Sequence, residues 1–411
     1  MGSFEIGLLL AGLILGPLIN YAIYSFAYFP RPISPWQPQP PGLSVRSGVT
    51  KLPILGWLFR YGESLHFGRV FWLRPFLIEL ATPIALLFLY RYTVAGTFAP
   101  TGLIAVGIST LRHQFIAFAL LITLMSIATF IDFDERTIPD LITIPGTIVG
   151  LVGAVAIPDW RMHELSPPIL PALVGVPVAV QANSPLLWNP FWDGLNGLFL
   201  GLLFWTLWCL GMADRRWISR RGIRKAFVYF FEVLRRSPSS KVLMGLWLAG
   251  LLCLCVAYWT MGPARWESLL SSLFGIGLGG LLVWGFRIVA QWAMGQEALG
   301  FGDVTLMAMI GSFFGWQIVW IAFFLAPFFG LIFVVIVWII TRDNATPFGP
   351  YLCAATLYCM LDWVRLWGWC SDWFLPLHFL LPILLGLLIS LGTLLWLIQT
   401  IKLIVSATLT R

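Results

Sequence analysis

The chain reads as an all-α, polytopic bundle of transmembrane helices, and three observations predict that class. Of its 411 residues, 59% are hydrophobic and only 10% are charged, against roughly a quarter charged in soluble domains. The eighteen acids and twenty-five Lys and Arg gather between long apolar stretches instead of alternating along helices. Those stretches approach the ~20 residues that carry a helix across a bilayer. Soluble-enzyme, disordered and nucleic-acid-binding classes are thereby nearly excluded, and a net charge of +7 is explained by topology.

Taken in order, the apolar stretches fall at about 4–28, 75–97, 114–131, 141–158, 192–213, 242–262, 268–293, 304–321, 323–341, 348–366 and 374–401. Eleven candidate spans result, and nine to eleven fit the pattern because 304–321 and 323–341 almost touch. The first carries Glu5 and no basic residue ahead of it, so it reads as a span and not as a cleaved signal. Loop 29–74 holds Arg31, Arg46, Lys51, Arg60, Arg69 and Arg74 against the single acid Glu63. Its first part, 29–50, is rich in Pro and predicts an extended, poorly structured connection. Segment 159–190 contains Pro167, Pro168, Pro171, Pro177 and Pro185 and predicts a partly ordered cap. Loop 214–241 carries nine basic residues, and Ile223 to Leu234 within it has an amphipathic pattern that would suit a membrane surface, although topology and headgroup binding account for its charge more simply.

Placing both basic loops inside, with strict alternation, puts nineteen Lys and Arg inside and five outside, with Arg287 left within a span. Segments 132–140, 294–303 and 342–347 then share the inner side. Cys209, Cys253, Cys255, Cys353 and Cys359 lie in apolar stretches and read as small hydrophobes. With Cys370 they form no C-x-x-C pair. His66, His113, His163 and His378 are scattered with no ligand spacing.

The acids are the informative residues. Ile131-Asp132-Phe133-Asp134-Glu135-Arg136-Thr137-Ile138-Pro139-Asp140 and Gly300-Phe301-Gly302-Asp303 put carboxylates at the ends of spans on one predicted face. Acids at membrane depth are costly and mark proton transfer, ion passage or catalysis. One aspartate from each of two helices would make a dyad, in which one group holds a proton while the other deprotonates water. Gly300 and Gly302 remove side-chain bulk beside Asp303, so that a peptide backbone could approach.

The run Ala298-Leu299-Gly300-Phe301-Gly302-Asp303-Val304-Thr305-Leu306-Met307, with Gly311 and Gly315-Trp316 after it, resembles the second catalytic motif of the type IV prepilin peptidases, which are GxGD-type intramembrane aspartyl proteases. Ile131-Asp132 with Pro139-Asp140 resembles that family's first catalytic motif, and Pro347-Phe348-Gly349-Pro350 its later segment. Gly16, Asn20 and Ile23-Tyr24 look like the first-span pattern, Pro53-Ile54-Leu55-Gly56-Trp57 like the loop segment, and Arg74-Pro75 with Glu79-Leu80 like the entry to the second span. The resemblance implies a degenerate N-terminal region over 1–100 and a peptidase membrane domain over 101–411, with insertions at about 159–190 and 214–262.

Carried over residue by residue, it implies Asp132 and Asp303 as the catalytic pair, with Gly300, Gly302, Pro347 and Gly349 positioning substrate backbone. Asp140 would be a supporting residue, with helix-dipole compensation as its alternative account. Asp134 and Glu135 read as a solvated turn. Typical members hold zinc with two C-x-x-C pairs in the loop, whereas loop 29–74 has no cysteine, so no zinc is expected. Thr305 stands where the family often has a lysine. Proteolysis would need no cofactor, and S-adenosylmethionine enters only if N-methylation is retained, which the degenerate N-terminal part disfavours.

The implied function is a prepilin-type endopeptidase of the bacterial cytoplasmic (inner) membrane, with its active site facing the cytoplasm. Its partners would be pilin-like or pseudopilin precursors and membrane lipids, with no nucleic acid. The basic leader of such a precursor would meet few acids besides Asp134, Glu135 and Glu297. Two alternatives stand beside it: a transporter or channel using the same acids as ion sites, and a catalytically silent scaffold of a secretion or pilus system.

Overall fold

A computed structural model describes residues 2–41, 46–97, 99–100, 105–166, 176–213, 223–294, 299–341 and 347–374, together with scattered positions between 382 and 400. Pro167, Pro168, Pro171, Glu297, His378, the Arg-rich segment 214–222 and most of the expected span 374–401 lie outside the described residues.

Helix α1 (Ser3–Phe26) leads into a loop with two single-turn helices, α2 (Leu55–Leu58) and α3 (Ser64–Phe67). Helices α4 (Leu73–Val94), α5 (Ile108–Glu135) and α6 (Asp140–Ala156) follow. A two-stranded antiparallel hairpin of β1 (His163–Leu165) and β2 (Pro177–Ala179) comes next, with His163 opposite Ala179. The second half comprises α7 (Leu195–Met212), α8 (Ile223–Arg236), α9 (Pro238–Thr260), α10 (Pro263–Met294), α11 (Phe301–Phe314), α12 (Trp316–Thr341), α13 (Gly349–Leu361) and α14 (Trp363–Phe374).

Seven of these (α1, α4, α5, α7, α9, α10 and the Trp316–Phe333 part of α12) are long and apolar enough to cross a membrane. Shorter apolar helices α6, α11 and α13 fill the middle. Helices dominate because hydrocarbon offers backbone N–H and C=O groups no partner outside the segment itself. Lipid tails are as apolar as Leu, so close approach between helices relies on small residues. Gly12 and Gly16 of α1 face Pro83 and Glu79 of α4, where a Cβ on Gly16 would come within 2.8 Å of the Glu79 Cα. Gly275 of α10 and Gly311 of α11 face one another's backbone, and Gly146 and Gly150 of α6 receive Met309 and Ser312 of α11. Helix α11 is thereby gripped on two sides, and from Asp303 to Phe314 every residue is buried.

The Pro-rich stretch is anchored, contrary to its composition. Arg46 donates to the carbonyls of Pro32 (2.8 Å), Ser34 (2.9 Å) and Gln37 (3.2 Å) and pairs with Glu63 (3.0 Å). Arg60, 1% exposed, pairs with the same carboxylate (2.6 Å), donates to the Ile33 carbonyl (2.6 Å) and stacks between Trp57 and Phe71. Arg46 near the end of the stretch and Arg60 beyond it supply the donors that a Pro-rich segment lacks, and composition alone does not reveal where they bond. Glu79, an isolated acid by sequence, accepts from Asn20 (3.0 Å) and from the Ile54 backbone (2.6 Å), which has a positive φ of 62°.

Outside 167–175, which the structure does not describe, the segment after α6 is held by specific bonds. Buried Arg161 donates to the Val180 carbonyl (3.0 Å) and to Ser272 (2.9 Å), Trp316 to Ala182 (2.5 Å), Gln317 to Gln181 (2.5 Å), and Trp363 to His163 (2.9 Å). Glu164 accepts from Trp367 (2.6 Å) and from Ser184. These bonds stitch the hairpin and its flanks onto α10, α12 and α14.

Candidate active site

Asp132 lies in the last turn of α5 and Asp303 in the first turn of α11, and both are buried, at 4% and 6% exposure. What brings the two helix ends together is the turn after α5. Arg136 takes a left-handed conformation (φ 56°), which stops the helix and sends Ile138 back under the site. A Cβ on Gly302 would lie 2.9 Å from the Ile138 Cβ and 3.1 Å from its backbone N and O. The backbone that approaches Gly302 is therefore the chain's own, and this glycine locks the aspartate-bearing end of α11 against the α5–α6 turn.

Gly349 does equivalent work for the other aspartate. Its N–H, at the first position of α13, donates to Asp132 Oδ2 (3.1 Å). A Cβ there would meet that oxygen at 2.5 Å and Ile138 Cδ1 at 2.8 Å, so only glycine fits. A helix N-terminus favours negative charge, and Pro350 at the next position gives up no donor that the helix needs. Asp303 Oδ2 accepts from the Gly300 N–H (3.2 Å), three residues back. Gly300 is less confined, because a Cβ there would find nothing closer than Asp303 Oδ2 at 3.6 Å. The two carboxyls lie within electrostatic reach of each other, and buried Cys353, one turn into α13, feels both.

Around this pair, Thr305 donates to the Gly302 carbonyl (3.1 Å), filling the family's lysine position with a neutral group. Arg287 donates to the Leu299 carbonyl (3.0 Å) and sits over the Phe301 ring, tying α10 to the turn ahead of α11. Pro347 is half-buried at the entrance to α13. Asp140 is the exposed first residue of α6 and lines a groove of about 590 Å³ with Arg287, Phe301, Ala213, Ser239 and Ser240.

Asp134 and Glu135 are not the solvated turn expected of them. Asp134 pairs with Arg74 (2.7 Å) and Arg31 (3.1 Å), and Glu135 accepts from the backbone N–H groups of Tyr28 (2.8 Å) and Phe29 (2.9 Å). They fasten the N-terminal helices to the end of α5. Sequence reasoning also missed Ile138 and Cys353. Ile138 carried a signal, lying between two acids of a motif, whereas Cys353 looked like any small core residue.

The zinc of typical members has no donors here that fit. Loop 29–74 has no cysteine, His66 is exposed, and Glu63 is occupied by two arginines. Among the described residues no group of three His, Cys, Asp or Glu is placed to hold a metal ion.

Residues 239–335, which include Asp303, match the model of the Type IV leader peptidase family. Over that stretch the chain is similar to that family. Similar proteins include a prepilin leader peptidase/N-methyltransferase of Pseudomonas putida, 32% identical over 135 residues, covering 32% of this chain and 42% of that protein. Another, of Pseudomonas aeruginosa, is 35% identical over 105 residues, covering 25% and 34%. The leader peptidase HopD of Escherichia coli is 33% identical over 94 residues, covering 22% and 57%. The chain thus spans less than half the length of the two Pseudomonas relatives and under two thirds of HopD. No solved structure matches it. The matched stretch includes the Gly300-Phe301-Gly302-Asp303 turn.

Proposed function

We propose that this chain is a prepilin-type aspartic endopeptidase that removes basic leader peptides from pilin-like or pseudopilin precursors at the cytoplasmic face of a bacterial inner membrane. The observation that carries the proposal is the convergence of Asp132 and Asp303, both buried and within electrostatic reach of each other, each accepting a glycine N–H. Two carboxyls sharing a site do not both ionise readily, so one holds a proton while the other is a base. The ionised member takes a proton from water as it attacks the scissile carbonyl. The protonated member donates to the carbonyl oxygen, and the roles then reverse to release the amine. Gly300, Pro347 and Gly349 line the approach for the substrate backbone. Asp140 stands at its rim, where a basic leader would meet it. Asp134 is already neutralised by two arginines and has little left for steering.

Orientation follows from charge, since nineteen Lys and Arg fall on the aspartates' side of the alternation and five on the other. Co-expression with a pilin-like precursor tests the proposal. The native chain shortens the precursor, whereas Asp132→Asn and Asp303→Asn at equal membrane abundance do not. Cleavage surviving both substitutions overturns the dyad. The mass of the new N-terminus reports whether S-adenosylmethionine-dependent methylation accompanies cleavage.

A further inference from the structure

Helix α8 is neither uniformly apolar nor buried inside the bundle. Its sequence, IRKAFVYFFEVLRR, separates two sides. Phe227 and Phe231 are exposed and lie one turn apart. Lys225, Glu232 and Arg236 fall on the opposite side, with exposed Arg224 and Arg235 along one flank. Four basic residues face one acid within the helix. Glu232 is occupied within the helix by Arg235 (3.2 Å) and Arg236 (2.7 Å), whose side chains remain 77% exposed.

The position of α8 is set by the span that follows it. It follows membrane-crossing α7 and ends one residue before membrane-crossing α9, where Pro238 begins the new helix. A helix joined so closely to a span cannot stand far from the bilayer surface. Ala213, before it, and Ser239 and Ser240, after it, line the groove whose other wall is Asp140 and Phe301, so α8 lies at the aspartates' end.

From this placement and charge pattern we infer that α8 is an interfacial helix that lays Phe227 and Phe231 into the leaflet at the aspartates' end and recruits anionic phospholipid headgroups through Arg224, Lys225, Arg235 and Arg236. Interfacial helices have this division of a basic face from an aromatic one. Each basic residue near an anionic surface adds roughly a five-fold preference.

Photo-crosslinking in nanodiscs of mixed phosphatidylcholine and phosphatidylglycerol tests this on the full chain. Phe227→benzoylphenylalanine and Phe231→benzoylphenylalanine give lipid adducts, with phosphatidylglycerol over-represented at least roughly five-fold relative to its share of the bilayer. Tyr229→benzoylphenylalanine, on the other side, gives few. Raising the salt concentration, or combining Arg224→Gln, Lys225→Gln, Arg235→Gln and Arg236→Gln, removes the enrichment. Adducts to protein in place of lipid at 227 and 231 overturn the inference, as does lipid capture with no preference for the anionic species. The salt series needs no substitution in the basic residues, so a misfolded variant does not leave the question open.

Discussion

The two ends of the helical bundle are built on opposite plans. At one end the hairpin and its flanks are sewn to α10, α12 and α14 by side chains that each close a specific bond: Arg161, Trp316, Gln317, Trp363 and Trp367. At the other end two buried carboxyls each accept one backbone N–H, from Gly349 and Gly300, and otherwise rest against glycine and Ile138. The stitched end sets the positions of the helices. Among the described residues the sparse end leaves acceptor capacity on both aspartates unspent, as the proposed entry of water and a peptide would require. Rigid scaffolding remote from a lightly bonded reactive pair is how geometry is held without satisfying the groups that must react.

Breaking the sparse end chemically should have the largest effect. Removing either member of a general acid-base pair costs roughly 10²–10⁴-fold, so Asp132→Asn and Asp303→Asn should each lower precursor cleavage by that order, with the protein still folded. Cleavage is read at matched abundance, and folding by unchanged thermal unfolding of the detergent-solubilised chain. Loss of fold in both variants would mean that the acids are structural.

The loop between α1 and α4 comes next, because there one carboxylate serves two buried guanidinium groups. Breaking a buried pair leaves an uncompensated charge at a cost of about 3–5 kcal/mol. Glu63→Gln should therefore expose residues 46–72 to rapid hydrogen exchange, whereas chelating metal from the native protein should not. Acid acts on the same contact. Burial disfavours ionisation of Glu63, but hydrogen bonds from Arg60 and Arg46 outweigh it and hold the carboxyl below its ordinary 4.5. Its stabilising contribution is thus complete above about 4.5 and fades as pH falls through the lowered folded value.

A finer test separates the glycines that the motif treats alike. Gly349→Ala drives a methyl group onto Asp132, and Gly302→Ala drives one onto Ile138, whereas Gly300→Ala makes only an ordinary contact with Asp303 at 3.6 Å. Displacing a reacting group by about 1 Å can cost 10²-fold. The first two substitutions should lower cleavage by roughly 10–100-fold, and the third by a few-fold at most. Equal losses at all three positions would show that the glycines serve substrate entry and not packing.

Much of this was legible from the residues. Hydropathy located the long helices, because a bilayer imposes length and apolarity on each span separately. The GxGD and Pro-Phe-Gly-Pro runs pointed to Asp303 and Gly349, because the chemistry at each is local in sequence. What was not legible depends on partners far along the chain. Asp134 and Glu135 looked solvated because the Arg74 side chain lies 60 residues away and the Tyr28 and Phe29 N–H groups more than a hundred. The stitched end was invisible because its strands are three residues long and its bonds join single side chains to distant carbonyls.

That end yields the smallest effect and the sharpest contrast with Glu63. Burial pushes the Glu164 carboxyl above its ordinary 4.5, against the opposing bonds from Ser184 and Trp367. A raised carboxyl binds its proton more tightly when folded. Its contribution is therefore present below about 4.5 and lost as pH rises through the folded value, opposite in sign to Glu63. His163 beside it titrates as well, its value lowered by burial, so the native pH profile mixes two groups. Glu164→Gln isolates one of them, because the amide oxygen can still accept from Trp367 while its NH2 donates to the Ser184 hydroxyl, and the amide has no proton to lose. Hydrogen exchange in peptides covering 176–184 should slow in the variant relative to the native chain as pH rises above about 4.5, by a few-fold, with the difference levelling off above Glu164's folded value. Identical profiles in the two proteins would mean that Glu164 is not the group whose burial strains the stitched end.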